Sequence, residues 1–235
     1  MTKQIQDAYI VAATRTAVGK APRGMYRNTR PDDLLAHVLK ASMAQCPGLD
    51  ASAVEDVIVG CAMPEAEQGM NVARIGLLLA GFPNNVSGMT INRFCSSGVQ
   101  SVALAADRIR LGEADVMIAA GTESMSMVPM GGNKISYNPA IFVKDENVGI
   151  AYGMGLTAEK VANQWKISRE AQDEFALQSH LKALAAQQAG EFSDEITPVE
   201  VFDRQPVLSN GEIDIKTRTV SLDGVPRPET TLAAL

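Results

Sequence analysis

Residues 87–123, SGMTINRFCSSGVQSVALAADRIRLGEADVMIAAGTE, decide the fold of this chain. Met89 to Asn92 is typical of a short strand, and Ser97 to Leu111 places apolar residues at helical spacing. Gly112 predicts the end of that helix, and Val116 to Ala120 predicts a second strand. The stretch therefore predicts a strand, a sharp turn, a helix and a strand, which is the βαβ crossover of a parallel sheet.

Cys95 lies in the predicted turn between the first strand and the helix. The first turn of a helix has unpaired amide groups and a partial positive charge, and both stabilise an anion. The reacting form of cysteine is the thiolate, so Cys95 is a candidate nucleophile. The small residues Ser96, Ser97 and Gly98 let a substrate and its developing oxyanion approach the backbone. A buried structural cysteine remains the alternative on spacing alone.

Strands and helices alternate on the N-terminal side of this stretch as well. Tyr9 to Ala13 and Val57 to Cys61 are typical of buried strands. A helix is expected from about Pro31 to about Gln45, and a second from a cap at Asn71 to Gly81. This alternation predicts an α/β fold with a largely parallel sheet and helices on both faces.

Composition narrows the functional classes. The chain has 235 residues, 46% of them hydrophobic, which suits one large domain or one domain with a sizeable insertion. A net charge of -6 without a basic block disfavours nucleic acid and anionic membrane surfaces as partners. No apolar run is long enough to span a bilayer, and the polar start does not resemble a signal peptide.

Three widely spaced cysteines make neither a disulfide framework nor a metal-ligand pattern, so we expect no metal site. They favour a reducing compartment, which means the cytoplasm, or the mitochondrial or peroxisomal matrix of a eukaryote.

The pattern changes after residue 123. Ser124 to Gly155 is irregular and rich in Met and Gly, which suits either a pocket wall or loose core filling. A long helix follows from a cap at Ser168 to Gly190, and Asn210-Gly211 is a hairpin turn between short extended runs. We interpret residues from Ser124 to about Pro228 as an insertion that forms a lid.

Residues 92–98, NRFCSSG, and residues 121–126, GTESMS, closely resemble the active-site segment of thiolases. Residues 12–20 are similar to the opening strand of that family, and residues 154–159 to its loop-domain helix. The resemblance implies a thiolase-like fold with an N-terminal α/β domain over residues 1–123 that carries the nucleophile. It also implies an α+β loop domain over residues 124–235 that binds coenzyme A, without the family's C-terminal domain.

The implied reaction is acyl transfer between 3-ketoacyl-CoA and CoA through an acyl-enzyme on Cys95. The resemblance places Met154 beside the pantetheine and acyl chain, and Arg227 near the nucleotide end of CoA. As an alternative, an arginine between two prolines is an ordinary solvated loop residue. CoA is thus expected as a co-substrate, with no permanently bound cofactor. Gly153 stands where some biosynthetic relatives have a histidine. This glycine and the sequence NRFCSSG together favour the degradative enzyme of fatty-acid β-oxidation over a biosynthetic acetoacetyl-CoA thiolase.

The resemblance also implies a histidine and a second cysteine in the C-terminal domain, and no matching motif occurs in this chain. His37 and His180 lie on predicted helices and are poor substitutes. Cys46 is expected at a helix end and Cys61 in the core. Two interpretations stay open: part of a working thiolase, which the barely begun helix before Leu235 favours, or a naturally short, catalytically silent module that binds CoA or a partner. A ketosynthase-like relative acting on a carrier protein is a third.

A half-sheet without a twin domain exposes an apolar face, so a homodimer or homotetramer is expected. We expect strands near Met89 to Asn92 to pair across a two-fold axis, as the resemblance to thiolase dimers implies.

Overall fold

The computed structural model describes residues 5–235, which form two compact units. The first unit runs to Asn133 and also takes in Ser193–Val225. The second unit comprises Lys134–Phe192 and Pro226–Leu235. The polar start of the chain, on which the signal-peptide expectation partly rests, lies outside the described residues. The predicted domains, 1–123 and 124–235, remain a prediction.

A parallel three-stranded sheet forms the centre of the first unit. Its strands are β1 (Asp56–Gly60), β2 (Ser87–Ile91) and β3 (Met117–Gly121), in the order β2-β1-β3. In the register, Gly60 lies opposite Ile91 on one side and Gly121 on the other. The predicted α/β class is confirmed. The predicted crossover from β2 to β3 is also confirmed, although β1 lies between its two strands.

Three helices pack on this sheet, namely α1 (Pro31–Ala44), α2 (Val72–Leu79) and α3 (Ser97–Arg110). Pro31 is the first residue of α1 and is followed by two acidic residues. Proline is tolerated there because the N–H groups of a first turn have no partner within the helix, and the acidic residues suit the partial positive charge of the helix start. Asn71 caps α2 by accepting a hydrogen bond from Arg74 N, as the sequence predicts. The core between α1, α2 and the sheet contains Leu35, Leu39, Val57, Val59, Val72 and Leu77.

Helix α3 packs through small residues. Ser97, Ser101 and Ala105 are buried, whereas Val99 and Val102 are 75% and 46% exposed. Ser101 Oγ lies 3.0 Å from the carbonyl oxygen of Ala120 in β3. The apolar spacing therefore predicts the helix correctly but does not identify the face that meets the sheet. The helix lies so close to the sheet that only small side chains fit between them, whether or not they are hydrophobic.

The predicted strand over Tyr9 to Ala13 is wrong. This segment joins no ladder, and Tyr9, Ile10 and Val11 are all more than 75% exposed. The amide and carbonyl of Ala13 bond instead to the side-chain amide of Gln45. A cavity of about 690 Å³ is lined by residues 8–16 together with α1, α3 and β3. Strand-forming residues without a backbone partner at ladder distance make no strand.

An antiparallel hairpin completes the first unit. It consists of β4 (Val199–Val207) and β5 (Glu212–Val220), joined through the predicted Asn210-Gly211 turn. Its base packs on Ala17 and Tyr26, whereas its outer half is exposed. Pro206 lies inside β4.

The second unit contains α4 (Met154–Trp165) and α5 (Arg169–Gln188). Ser168 caps α5 by accepting a hydrogen bond from Ala171 N, as predicted. The Met- and Gly-rich segment before α4 contains two 3₁₀ turns, Pro139–Val143 and Asp145–Ala151. Within residues 5–235, no helix combines the length and the apolar character needed to cross a membrane.

Candidate active site at the Cys95 turn

The carboxyl ends of β1, β2 and β3 meet at one edge of the sheet. The hydrogen bond from Cys61 N to the Ile91 carbonyl measures 3.0 Å, and that from Thr122 N to the Gly60 carbonyl measures 3.1 Å. These two bonds continue the strand register past the last residue of β1. In open α/β sheets, ligands bind outside this edge. The segment that follows β2 is therefore held where a ligand is expected.

We call residues 92–97 the Cys95 turn. Phe94 has a φ of +46°, in the left-handed region that a bulky residue rarely occupies. Asn92 Oδ1 accepts a hydrogen bond of 2.8 Å from Phe94 N and closes an Asx turn around this conformation. Strained backbone of this kind concentrates at functional sites. The chain thus reverses immediately before Cys95, and its thiol is exposed.

Ser97 connects the turn to helix α3. Its buried hydroxyl accepts a hydrogen bond of 2.8 Å from Arg93 N and donates one of 2.6 Å to the Phe94 carbonyl. The residue at the helix cap, Ser96, makes no side-chain capping bond. Ser97 therefore ties the start of α3 to the turn that precedes it.

Gly60, the last residue of β1, allows the start of α3 to sit directly on the sheet. A Cβ at Gly60 would lie 2.5 Å from the Ser97 carbonyl carbon and 2.7 Å from Gly98 N. Real Cβ atoms do not approach backbone this closely, so a larger residue would push the helix away. The position of Cys95, which follows β2, thus depends on the absence of a side chain at Gly60 in β1.

A polar network joins the loops that follow β1 and β3. The Glu123 carboxylate accepts a hydrogen bond of 2.6 Å from Ala62 N, and its other oxygen accepts one from Gln68 Nε2. Gln68 is fully buried, and its side-chain oxygen accepts a 2.9 Å bond from Ser124 N. Gln68 cannot be predicted from the sequence as part of the site, because a glutamine in a short 3₁₀ turn carries no local signal. Glu123 could have been found from its place in the GTESMS motif.

The three cysteines have different surroundings. Cys61 is buried, and burial together with the nearby charge of Glu123 raises the pKa of its thiol to about 12. The predicted core position of Cys61 is therefore confirmed. Cys46 is partly buried just after α1, where a helix end was predicted. Cys95 alone of the three is exposed, and it is the thiol on the strained turn.

The remaining candidate residues lie away from this turn in the chain. His37, in the first unit, has its Nε2 3.2 Å from Thr197 Oγ1. Met154 and Arg227 belong to the second unit, where Met154 opens α4 and is more than half exposed. His180 Nδ1 accepts a hydrogen bond of 3.2 Å from Arg227 N, a contact that the sequence does not predict. The roles of Met154 and Arg227 in binding remain predictions.

The fold and the site together define an α/β protein that exposes a cysteine at the turn between a parallel strand and the following helix. The chain belongs to the thiolase family, since the family model for the thiolase N-terminal domain matches residues 8–235. The resemblance found in the active-site segment is thereby confirmed at the level of the family.

Similar proteins support the same assignment. The chain is 44% identical over 227 residues to a 3-ketoacyl-CoA thiolase of Bacillus subtilis and 40% identical over 232 residues to one of Citrobacter koseri. The alignments cover 97–98% of this chain but only 56–57% of the two relatives, so the chain spans little more than half of their length. Among solved structures, it resembles the Bacillus anthracis acetyl-CoA acetyltransferase, with a TM-score of 0.81 and 33% identity. That match covers 99% of this chain and 58% of the other.

Proposed function

We propose that this chain takes part in acyl transfer between 3-ketoacyl-CoA and CoA, with Cys95 as the nucleophile. The observation that carries the proposal is the exposed Cys95 thiol on a strained turn at the carboxyl edge of the sheet, directly before helix α3. A helix N-terminus stabilises a thiolate. Residues Ser96 and Gly98 are small, so the reacting carbonyl can approach the backbone.

In the first step, the Cys95 thiolate attacks the 3-keto carbon of the substrate. The bond between carbons 2 and 3 breaks, and its electron pair leaves on the acetyl-CoA enolate, which takes up a proton. Cys95 is then joined to the shortened acyl chain as a thioester. In the second step, a CoA thiol gives up its proton, attacks this thioester and releases the Cys95 thiolate. The backbone N–H of Cys95 supplies one hydrogen bond to the oxyanion in both steps.

We assign binding of the CoA portion of the substrates to the second unit. Met154 contributes an exposed, adaptable thioether for the pantetheine and acyl chain. Arg227 contributes a guanidinium, which suits an adenine face or a phosphate. CoA is a co-substrate in this proposal, and no permanently bound cofactor takes part. The relatives named 3-ketoacyl-CoA thiolase support thiolytic cleavage in fatty-acid β-oxidation as the direction.

The proton transfers need groups beyond Cys95. His37 and His180 each have a hydrogen-bond partner other than Cys95, and the pKa of Cys61 is too high for a proton acceptor at neutral pH. We therefore assign the base to none of the described residues. We further propose that the protein works as a homodimer or homotetramer, since exposed apolar side chains such as Val99 on α3 and Met89 on β2 require a cover.

The test is the intact mass of the protein before and after incubation with a 3-ketoacyl-CoA, with the modified residue mapped by peptide sequencing. We expect an acyl adduct on Cys95. The variant Cys95→Ser should lose it, and Cys46→Ser should keep it. An unmodified Cys95 would contradict the proposal and favour a module that binds CoA without catalysis.

A further inference from the structure

We propose that Asn92 is a positioning residue for the Cys95 nucleophile and that it couples the Cys95 turn to the hydrogen-bond network of Glu123 and the buried Gln68. This inference rests on the proposed function of Cys95. It assigns no contact with the substrate to Asn92. Its basis is a continuous series of hydrogen bonds that joins the loops following β2, β1 and β3.

Asn92 uses both ends of its side-chain amide. Its Oδ1 accepts from Phe94 N at 2.8 Å, and its Nδ2 donates to the Ala62 carbonyl at 3.0 Å. The first bond holds the left-handed conformation of Phe94, from which the direction of Cys95 follows. The second fixes the turn to the loop after β1. One side chain therefore determines both the shape of the turn and its place on the sheet.

The series continues through Ala62 into the Glu123–Gln68 network. Ala62 N donates to the Glu123 carboxylate, which also accepts from Gln68. Gln68 in turn bonds to Ser124 N and, through its amide nitrogen, to the Met63 carbonyl at 2.9 Å. The charge of Glu123 is thus satisfied by hydrogen bonds within the network. Because every member is paired, the loop that Asn92 holds has little freedom to move.

The exposure of Asn92 separates positioning from folding. The side chain of a buried residue leaves a cavity when truncated, whereas Asn92 is exposed and its loss leaves none. The variant Asn92→Ala removes both hydrogen bonds. The variant Asn92→Ser keeps a neutral oxygen acceptor for Phe94 N and removes the donor to Ala62, because the serine side chain is one atom shorter. The two variants therefore separate the shape of the turn from its attachment.

The experiment measures the rate at which iodoacetamide alkylates Cys95 in the full chain, with each cysteine mapped by mass spectrometry. We expect Asn92→Ala to slow Cys95 by about 5- to 10-fold, since a hydrogen bond of this kind contributes on the order of one power of ten in an equilibrium. Asn92→Ser should recover most of the rate, because it keeps the acceptor for Phe94 N without adding a charge beside the thiol. The alkylation rate of Cys46 in the same sample should not change.

Asn85→Ala is the matched control, because Asn85 is also exposed and its amide also bridges two loops, donating to the Ser52 carbonyl at 3.0 Å. It should leave the rate at Cys95 unchanged. A wild-type rate at Cys95 in Asn92→Ala would overturn the inference. A loss of rate that is equal at Cys95 and Cys46 would overturn it as well, since that outcome means general loosening of the fold.

Failure of the proposed function gives a different result, because alkylation needs no acyl substrate. If the wild type forms no acyl adduct but Asn92→Ala slows the alkylation of Cys95, the proposed acyl transfer is wrong and the positioning role of Asn92 stands. If the wild type forms the adduct but Asn92→Ala is alkylated at the normal rate, the acyl transfer stands and the positioning role of Asn92 is wrong.

Discussion

The Cys95 turn and the segment over residues 9–13 are both exposed, non-helical parts of the first unit, but they are held in opposite ways. In the turn, the amides of Arg93, Phe94, Ser96 and Ser97 each donate a hydrogen bond within the turn. In the N-terminal segment, Tyr9, Ile10 and Val11 expose apolar side chains, and the backbone bonds to the rest of the unit are made at Ala13.

The exposure of a segment and the order of its backbone are therefore separate properties. The turn is fixed by short-range hydrogen bonds and by the contact of α3 with Gly60, although its thiol faces solvent. The N-terminal segment has the more hydrophobic sequence, but it forms no ladder with any strand among residues 5–235. Four predictions test this comparison, in order of decreasing effect.

The largest contrast is expected between two thiols of the first unit. Cys95 should react with iodoacetamide at pH 8, whereas Cys61 should be unreactive, because its pKa of about 12 lowers the thiolate fraction by about 1000-fold relative to an ordinary thiol. Mass spectrometry of the alkylated protein measures both. The same experiment in denaturant should equalise the two rates. Equal labelling in the native protein would show that burial does not protect Cys61.

The substitution Gly60→Ala should break the order of the turn although it changes none of the residues that form the turn. Its Cβ would meet the backbone of Ser97, so α3 must shift, and we expect a loss of about 2 to 3 kcal/mol in the free energy of unfolding. Urea unfolding followed by circular dichroism gives this value, and alkylation of Cys95 should slow in parallel. Gly98→Ala is the control, since nothing lies within 4 Å of its Cβ position. An unchanged stability of Gly60→Ala would contradict the close contact.

Asp223→Asn tests where the N-terminal segment becomes anchored. Arg15 holds Asp223 with hydrogen bonds of 2.7 and 2.9 Å, and the pKa of Asp223 is lowered by this contact. We expect the variant to lose about 1.5 to 2 kcal/mol at pH 7.

The pH dependence has a definite sign. A carboxyl group with a lowered pKa in the folded state stabilises the protein above its unfolded pKa of about 4, and this stabilisation is lost as the pH falls through the folded pKa. The difference between the wild type and Asp223→Asn should therefore shrink below about pH 4. Asp214→Asn, in an exposed ion pair with Lys216, should cost less than about 0.5 kcal/mol. A gap independent of pH would exclude the charge of Asp223 as its cause.

The smallest effect is expected at Val11. Because its side chain is 77% exposed, Val11→Thr should change the free energy of unfolding by less than about 0.5 kcal/mol. Val59→Thr in β1, where the side chain has no exposure, should cost about 2 kcal/mol. Thermal or urea unfolding compares them directly. A large loss at Val11 would mean that the segment packs in solution and is not held as the structure has it.

The sequence predicts elements whose partners are close in the chain. The cap of α2 at Asn71, the cap of α5 at Ser168 and the Asn210-Gly211 turn all follow from contacts within a few residues. The position of Cys95 before a helix follows in the same way. These features need no knowledge of the tertiary fold.

Features set by distant residues could not be predicted. The contact of Gly60 with Ser97 joins residues far apart in the chain, and so does the bond between Gln68 and Ser124. The failure of the segment at residues 9–13 to form a strand has the same cause, because a ladder depends on a second strand. Local propensity contains no information on any of these partners.

The hairpin of β4 and β5 has a practical consequence. Its base is buried by Val199, Val201 and Val220, while its tip at residues 208–211 is exposed and contacts nothing in the core. An epitope or a small reporter domain inserted between Ser209 and Asn210 extends an existing reversal of the chain and crosses no packed surface. The tip is thus a position at which a 25.0 kDa protein can be enlarged for imaging or capture.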